Sequence, residues 1–99
     1  MIIVVGVIEV EAGERGRYLA DKRDQVDATL AEPGCVDYSF AADAGDPARV
    51  RLLERWASMT DLEAHLAGLR LHPPATGGVA GRFVEAAVYE AQPTEAPRG

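Results

Sequence analysis

Positions 2–10, Ile-Ile-Val-Val-Gly-Val-Ile-Glu-Val, form a nearly unbroken apolar run rich in β-branched residues. Such a run predicts a strand covered on both faces. Ala12-Gly13 breaks it. Residues 14–32 predict a helix: Tyr18, Leu19, Val26 and Leu30 fall on one side at helical spacing, while Asp21, Asp24 and Asp27 point elsewhere. Pro33-Gly34 ends that helix. Residues 35–42 alternate, which predicts Val36, Tyr38 and Phe40 on one face of a strand and Cys35, Asp37 and Ser39 on the other.

The turn-forming stretch Asp43-Ala44-Gly45-Asp46-Pro47 leads into a third strand over residues 49–57. There Val50, Leu52, Glu54 and Trp56 share one face, and Arg51, Leu53 and Arg55 the other. The short connection makes the second and third strands a hairpin. Ser58-Met59-Thr60-Asp61 resembles a capping box with Asp in the usual Glu or Gln place. Leu62, Leu66 and Leu69 continue at helical spacing, with His65 beside them. Residues 71–81 carry Pro73-Pro74 and Gly77-Gly78 and read as a loop or a short broken helix. Residues 82–90 predict a fourth strand, with Phe83 and Tyr89 on one face and Val84 and Val88 on the other. Residues 92–99 hold two prolines and no apolar pattern, and read as a mobile tail after a domain spanning 1–91.

The order β-α-β-β-α-β is the ferredoxin-like signature of an α+β fold, with two helices on one face of a four-stranded antiparallel sheet. The opposite face, expected to carry Trp56 or its neighbours, is then bare. An exposed apolar face of that size favours association. Ninety-nine residues suit one domain that buries only about two thirds of its unfolded surface, which is marginal for a lone monomer. A homodimer joined through bare sheets follows from this burial argument.

Composition narrows the partners. The net charge of -6, with arginines scattered among carboxylates, disfavours nucleic acid and anionic membranes. One cysteine, Cys35, allows no internal disulfide and no cysteine-based metal cluster. The apolar start has no basic leader and runs into Glu9 and Glu11, so it reads as a strand and not a targeting segment. A cytoplasmic protein is the expectation.

Four segments carry a family pattern. Glu32-Pro33-Gly34-Cys35-Val36-Asp37-Tyr38 reads EPGC-x-x-Y; Asp43 through Pro47 reads D-x-x-DP. Glu54-Arg55-Trp56 reads ERW, and Asp61 through Leu66 reads x-L-x-A-H-L. In order and spacing, residues 2–90 resemble the antibiotic biosynthesis monooxygenase family. The resemblance implies a dimeric α+β barrel with one pocket per subunit. It also implies an enzyme that uses neither metal nor flavin and oxidises quinols, anthrones or similar polycyclic phenols with O2. Other branches of the family degrade haem.

Trp56, the only tryptophan, either fills the sheet–helix core or lines a pocket and stacks on a flat aromatic substrate. His65 is the candidate general base, or a helix histidine holding a single hydrogen bond. Glu54 leaves the strand on the Trp56 side and needs a partner, either His65 or an arginine. Tyr38 is a candidate pocket wall or a core residue. Leu52 is apolar where some oxygenases place a polar group, and Arg82 is a candidate for binding an oxyanion. His72 reads as a surface residue, and Cys35 as a small buried apolar one.

The chain contains no asparagine, a residue that several relatives use in the pocket. The haem-degrading branch has it on the first strand, where Gly6 or a neighbour stands here. Three functions remain in view: a cofactor-independent monooxygenase with His65 as base, a haem-binding or haem-degrading protein, and a non-catalytic module that binds a small aromatic.

Overall fold

The computed structural model describes residues 1–73 and 78–98. In chain order its elements are β1 (Ile2–Val10), α1 (Arg15–Asp21), α2 (Arg23–Leu30), β2 (Cys35–Ala42), β3 (Arg49–Trp56), α3 (Met59–Leu71) and β4 (Gly81–Glu90). The strands lie in the spatial order β2-β3-β1-β4, antiparallel at every pairing. This is the expected ferredoxin-like α+β fold.

The long first helix of the sequence reading is two helices. The break is at Lys22, whose N–H turns to the Leu19 carbonyl at 3.2 Å, a tight i to i−3 turn. The Lys22 stem crosses the sheet side, with its ammonium 5.1 Å from the Tyr18 ring centre and 5.7 Å from that of Phe40. Burial there lowers the Lys22 pKa, against the pull of Asp21.

Period-two alternation sends Ile2, Ile8 and Val10 of β1 and Val50, Leu52 and Trp56 of β3 to the helix side. There they pack with Tyr18, Tyr38 and Leu62. Trp56 and Val50 are fully enclosed. Each such side chain contributes about 1.5–3 kcal/mol of burial free energy.

Two bulges correct the face assignments made from strict alternation. Cys35 pairs with Trp56 but Asp37 with Arg55, so Val36 is the extra residue. Cys35 therefore packs against the core and Val36 is exposed. A second register shift, facing Val7 and Ile8, leaves Val84 unpaired and puts Phe83 on the helix side with Val88, while Tyr89 faces the other way. A third correction follows from β3: Trp56 belongs to the covered face and not to the bare one. Side chains of Ile3, Val5, Val7, Leu53, Ala87 and Tyr89 make the apolar part of the open face. Ion pairs flank it, Arg51 with Asp43 at 2.8 Å and Arg55 with Asp37 at 3.5 Å.

Turns are held by side chains as well as backbone. Arg15 Nη1 donates to the carbonyls of Asp43, Asp46 and Arg49 and so ties α1 to the β2–β3 hairpin. Ser58 caps α3 as expected, accepting from the Asp61 N–H at 3.2 Å. Asp61 cannot reach back to the Ser58 backbone as a longer acid would, and accepts from the Ser58 hydroxyl instead. No helix among the described residues is long and apolar enough to cross a membrane.

Candidate functional site

Alternation along β3 delivers Leu52, Glu54 and Trp56 to the helix side, and all three are buried. Across the pairing, Tyr38 stands opposite Glu54. From above, α3 contributes Leu62 and, three residues on, His65, which is 2 % exposed. Helical spacing aims both at the sheet.

These groups form a continuous aromatic row. The Trp56 and His65 rings lie 4.8 Å apart, tilted by 35°. Tyr38 meets the imidazole in an edge arrangement at 5.4 Å. Phe40 follows Tyr38 at 5.6 Å, and Tyr18 follows Phe40 at 6.4 Å, both in edge arrangements. Such geometry favours ring quadrupoles and leaves His65 little freedom to rotate.

The polar ends of this row are satisfied from two directions. Trp56 Nε1–H donates to Glu54 Oε1 at 2.9 Å. His65 Nδ1 is 2.7 Å from Glu32 Oε2. A carboxylate there accepts a proton-bearing Nδ1, which leaves Nε2 of neutral His65 with the lone pair. Gln25 of α2 donates through Nε2 to the Tyr38 hydroxyl at 2.8 Å. Burial pushes the Tyr38 phenol well above its usual range, with Glu54 adding to the shift and Gln25 opposing it. Burial likewise raises the Glu54 carboxyl, while the indole hydrogen bond and His65 pull it down. The Cys35 thiol is raised by burial too, so it is a weak nucleophile.

A groove of about 430 Å³ runs between α2 and α3, with Asp21, Gln25, Thr29, Glu32, His65 and Leu69 in its wall. Of the candidate residues, His65 alone lines it; Trp56 and Tyr38 back the imidazole from beneath. Leu52 is buried beside Gly6, where an added Cβ would come within 3.0 Å of the Phe83 ring and 3.4 Å of Leu52. Arg82 is not part of this cluster. It sits on the open sheet face, paired with Glu9 at 3.0 Å. His72 closes α3 and reaches the rim of the groove while remaining exposed.

Sequence reasoning paired Glu54 with His65 or an arginine; its hydrogen-bond partner is the indole. The carboxylate on His65 is Glu32, which stood in plain view at the head of the EPGC segment. Gln25 carried no signal beyond a polar side chain one residue before Val26.

Residues 1–71 match the family model described as antibiotic biosynthesis monooxygenase. A curated but uncharacterised protein of Synechocystis is 28% identical over 64 residues, 65% of this chain. The match spans 44% of that relative's length. Among solved structures, a Deinococcus radiodurans protein provisionally named an antibiotic biosynthesis monooxygenase superposes with TM-score 0.77 at 21% identity, covering 100% of both chains. One from Nitrosomonas europaea, named likewise, gives 0.74 at 19% identity over 92% of this chain and 98% of its own. The haem degrader MhuD of Mycobacterium tuberculosis, solved with two haems in its active site, gives 0.77 at 15% identity over 97% and 100%. At these identities the structural likenesses speak for the fold.

Proposed function

We propose, from the premise that the chain belongs to the antibiotic biosynthesis monooxygenase family, that it is a cofactor-independent monooxygenase acting on an electron-rich phenol, anthrone or quinol. The observation that carries this reading is the pairing of buried His65 with half-buried Glu32 in the wall of a groove. A neutral imidazole whose Nδ1–H is held by a carboxylate presents Nε2 as a proton acceptor.

Ground-state O2 takes an electron readily from a phenolate or enolate and poorly from the neutral phenol. A free phenol titrates near ~10 and imidazole near ~6.5, so the site must favour the anion and the imidazolium together. Glu32 at 2.7 Å supplies the countercharge for that imidazolium. His65 removes the proton, and the substrate anion passes one electron to O2. The resulting radical and superoxide combine to a peroxide anion, which takes the proton back from the His65 imidazolium to give a hydroperoxide. Loss of water then leaves a quinone: one oxygen atom enters the product and the other leaves as water. Trp56 and Tyr38 fix the imidazole from the sheet beneath it.

The open sheet face supports a homodimer. Leu53 and Tyr89 are 36% and 54% exposed there, beside Ile3 and Val5. Pairing two such faces removes them from water. A working domain that ends at residue 91 is supported by the Ala91 N–H, which donates to the Met1 carbonyl at 2.9 Å.

The test is direct. Purified protein, treated with chelator, is mixed with an anthrone in air while O2 uptake and quinone absorbance are followed. Stoichiometric quinone and O2 consumption support the oxygenase; ligand binding without O2 uptake points to a binding module instead. Haem chemistry is the alternative raised by the MhuD likeness, and a haemin titration separates it through the Soret band. The Phe83 ring lies over Gly6, on the strand where the haem-degrading branch places its asparagine.

A further inference from the structure

Glu54 is the one buried carboxylate that the proton-transfer scheme above leaves without a task. It is 6% exposed and sits on a strand whose other helix-side residues are Val50, Leu52 and Trp56. Burying an acid among them is costly unless its oxygens find partners. Its surroundings are specific. From its own strand comes the Trp56 N–H at 2.9 Å. From β2 come the Tyr38 hydroxyl and the Cys35 thiol, from the turn before β2 Glu32, and from α3 His65. From β1 comes only Val4, its apolar register partner. Of these, only the indole makes a hydrogen bond to it among the described residues, and only His65 can become positive.

We propose that Glu54 is a positioning residue that acts on His65 through Trp56. Its carboxylate holds the indole N–H, which fixes the ring on which the imidazole lies. The same bond draws the N–H proton toward the carboxylate and so leaves the indole face more negative. The centre of the His65 ring stands 4.8 Å from that of the indole, with the two planes tilted by 35°. An imidazolium formed there gains a cation–π contact that a free indole would offer less strongly. Two carboxylates thus bracket one imidazole: Glu32 directly at Nδ1, and Glu54 through an aromatic ring. The direction of the coupling is fixed by charge. Ionised Glu54 favours charged His65, and charged His65 favours ionised Glu54 by the same free energy.

The assignment rests on His65 being the base, but its test needs no substrate, so it can fail while the oxygenase reading stands. Trp56 is the only tryptophan, and its N–H is bonded to the titrating group. Fluorescence excited at the red edge of the indole band therefore reports Glu54 ionisation. The wild-type protein is expected to show a transition above the ordinary glutamate value. Glu54→Gln, which keeps an oxygen acceptor for the indole, is expected to abolish it. His65→Gln is expected to move it to higher pH, because the favourable positive neighbour is gone. A transition that survives in the double variant Glu54→Gln/His65→Gln, where neither group titrates, or a midpoint unmoved in His65→Gln, overturns the proposal. Should Glu54→Gln fail to fold, the His65→Gln shift alone decides.

Discussion

Glu32 and His65 are thirty-three residues apart in sequence, yet their side chains meet at 2.7 Å. Three contacts bring them together. The Ala57 N–H donates to the Gly34 carbonyl at 2.8 Å, which docks the turn after Glu32 onto the end of β3. Asp61 packs against Gly34 and is itself bonded to Ser58 at the head of α3. The helix that carries His65 therefore starts from the same small junction that presents Glu32.

That pairing gives the first expectation. His65→Ala should lower kcat/KM for quinone formation by about 10²- to 10⁴-fold, the usual worth of a positioned base. Glu32→Gln removes the countercharge of the imidazolium and, by offering an amide donor to Nδ1, no longer selects one tautomer; it should lose about 10²-fold. Both rates are read from quinone absorbance under air. Turnover that survives both changes intact would remove His65 from the mechanism.

Gly34 tests the junction by stability. Its φ is +76°, a region other L-residues avoid, and an added Cβ would collide with the Asp61 carboxylate. Gly34→Ala should cost about 2–3 kcal/mol, combining backbone strain with a disturbed α3 cap. Urea denaturation with an unchanged m-value measures it. Since Glu32 is displaced with the turn, activity should fall more than the folded fraction does. A loss below about 0.5 kcal/mol would mean that the turn tolerates a side chain after all.

Glu54 gives a pH dependence whose sign can be worked out. Burial raises its folded-state pKa above the unfolded value. The neutral acid thus contributes stability that is complete below the unfolded pKa, near ~4.3, and is lost as pH rises through the folded value. Glu54→Gln keeps the neutral form at every pH. It should be more stable than wild type at pH 7 by about 1 kcal/mol, and the two should converge below about pH 4. Urea midpoints at the two pH values check this. A variant less stable than wild type at pH 7 would show that the charge is better compensated than its neighbours suggest. A site residue whose removal stabilises the fold fits the common trade between function and stability.

The fold was legible in the sequence because its strands obey period two and its turns are written in Pro, Gly and Asp. Where legibility failed, the cause was local. The bulges at Val36 and Val84 each add one residue, and a one-residue slip reverses every face beyond it. The break at Lys22 lies inside a continuous helical pattern and leaves no Pro or Gly as a marker. In the site, spacing brought Trp56 and Glu54 together because two residues along a strand share a face. No spacing rule could pair Glu32 with His65, which meet only after two elements have packed. Arg82 stands apart from the cluster for a related reason: strand position gives no depth, and Glu9 across the β1–β4 pairing accepts its hydrogen bond.

The open sheet face sets the last expectation. Leu53 stands on it with Val5 opposite, and Arg51 and Arg55 flank Leu53 along β3. Each arginine is already paired within its own chain, with Asp43 and Asp37. The face therefore presents an apolar centre with a neutralised rim, which suits contact with an identical copy. A stable pairing needs about 1,000 Å² or more of total buried area, which a four-stranded face can supply. Sedimentation at tens of micromolar protein should give a dimer. Leu53→Arg puts a third cation between Arg51 and Arg55 on each copy, and two-fold symmetry brings it against the same apolar centre opposite. Dissociation should become at least about 10²-fold easier, the loss expected for a charge driven into an interface centre. His65 lies on the other side of the sheet, so the dissociated variant should keep its far-ultraviolet spectrum and its Trp56 emission maximum. A wild-type protein that sediments as one copy would leave this face in water and require another explanation for its apolar centre.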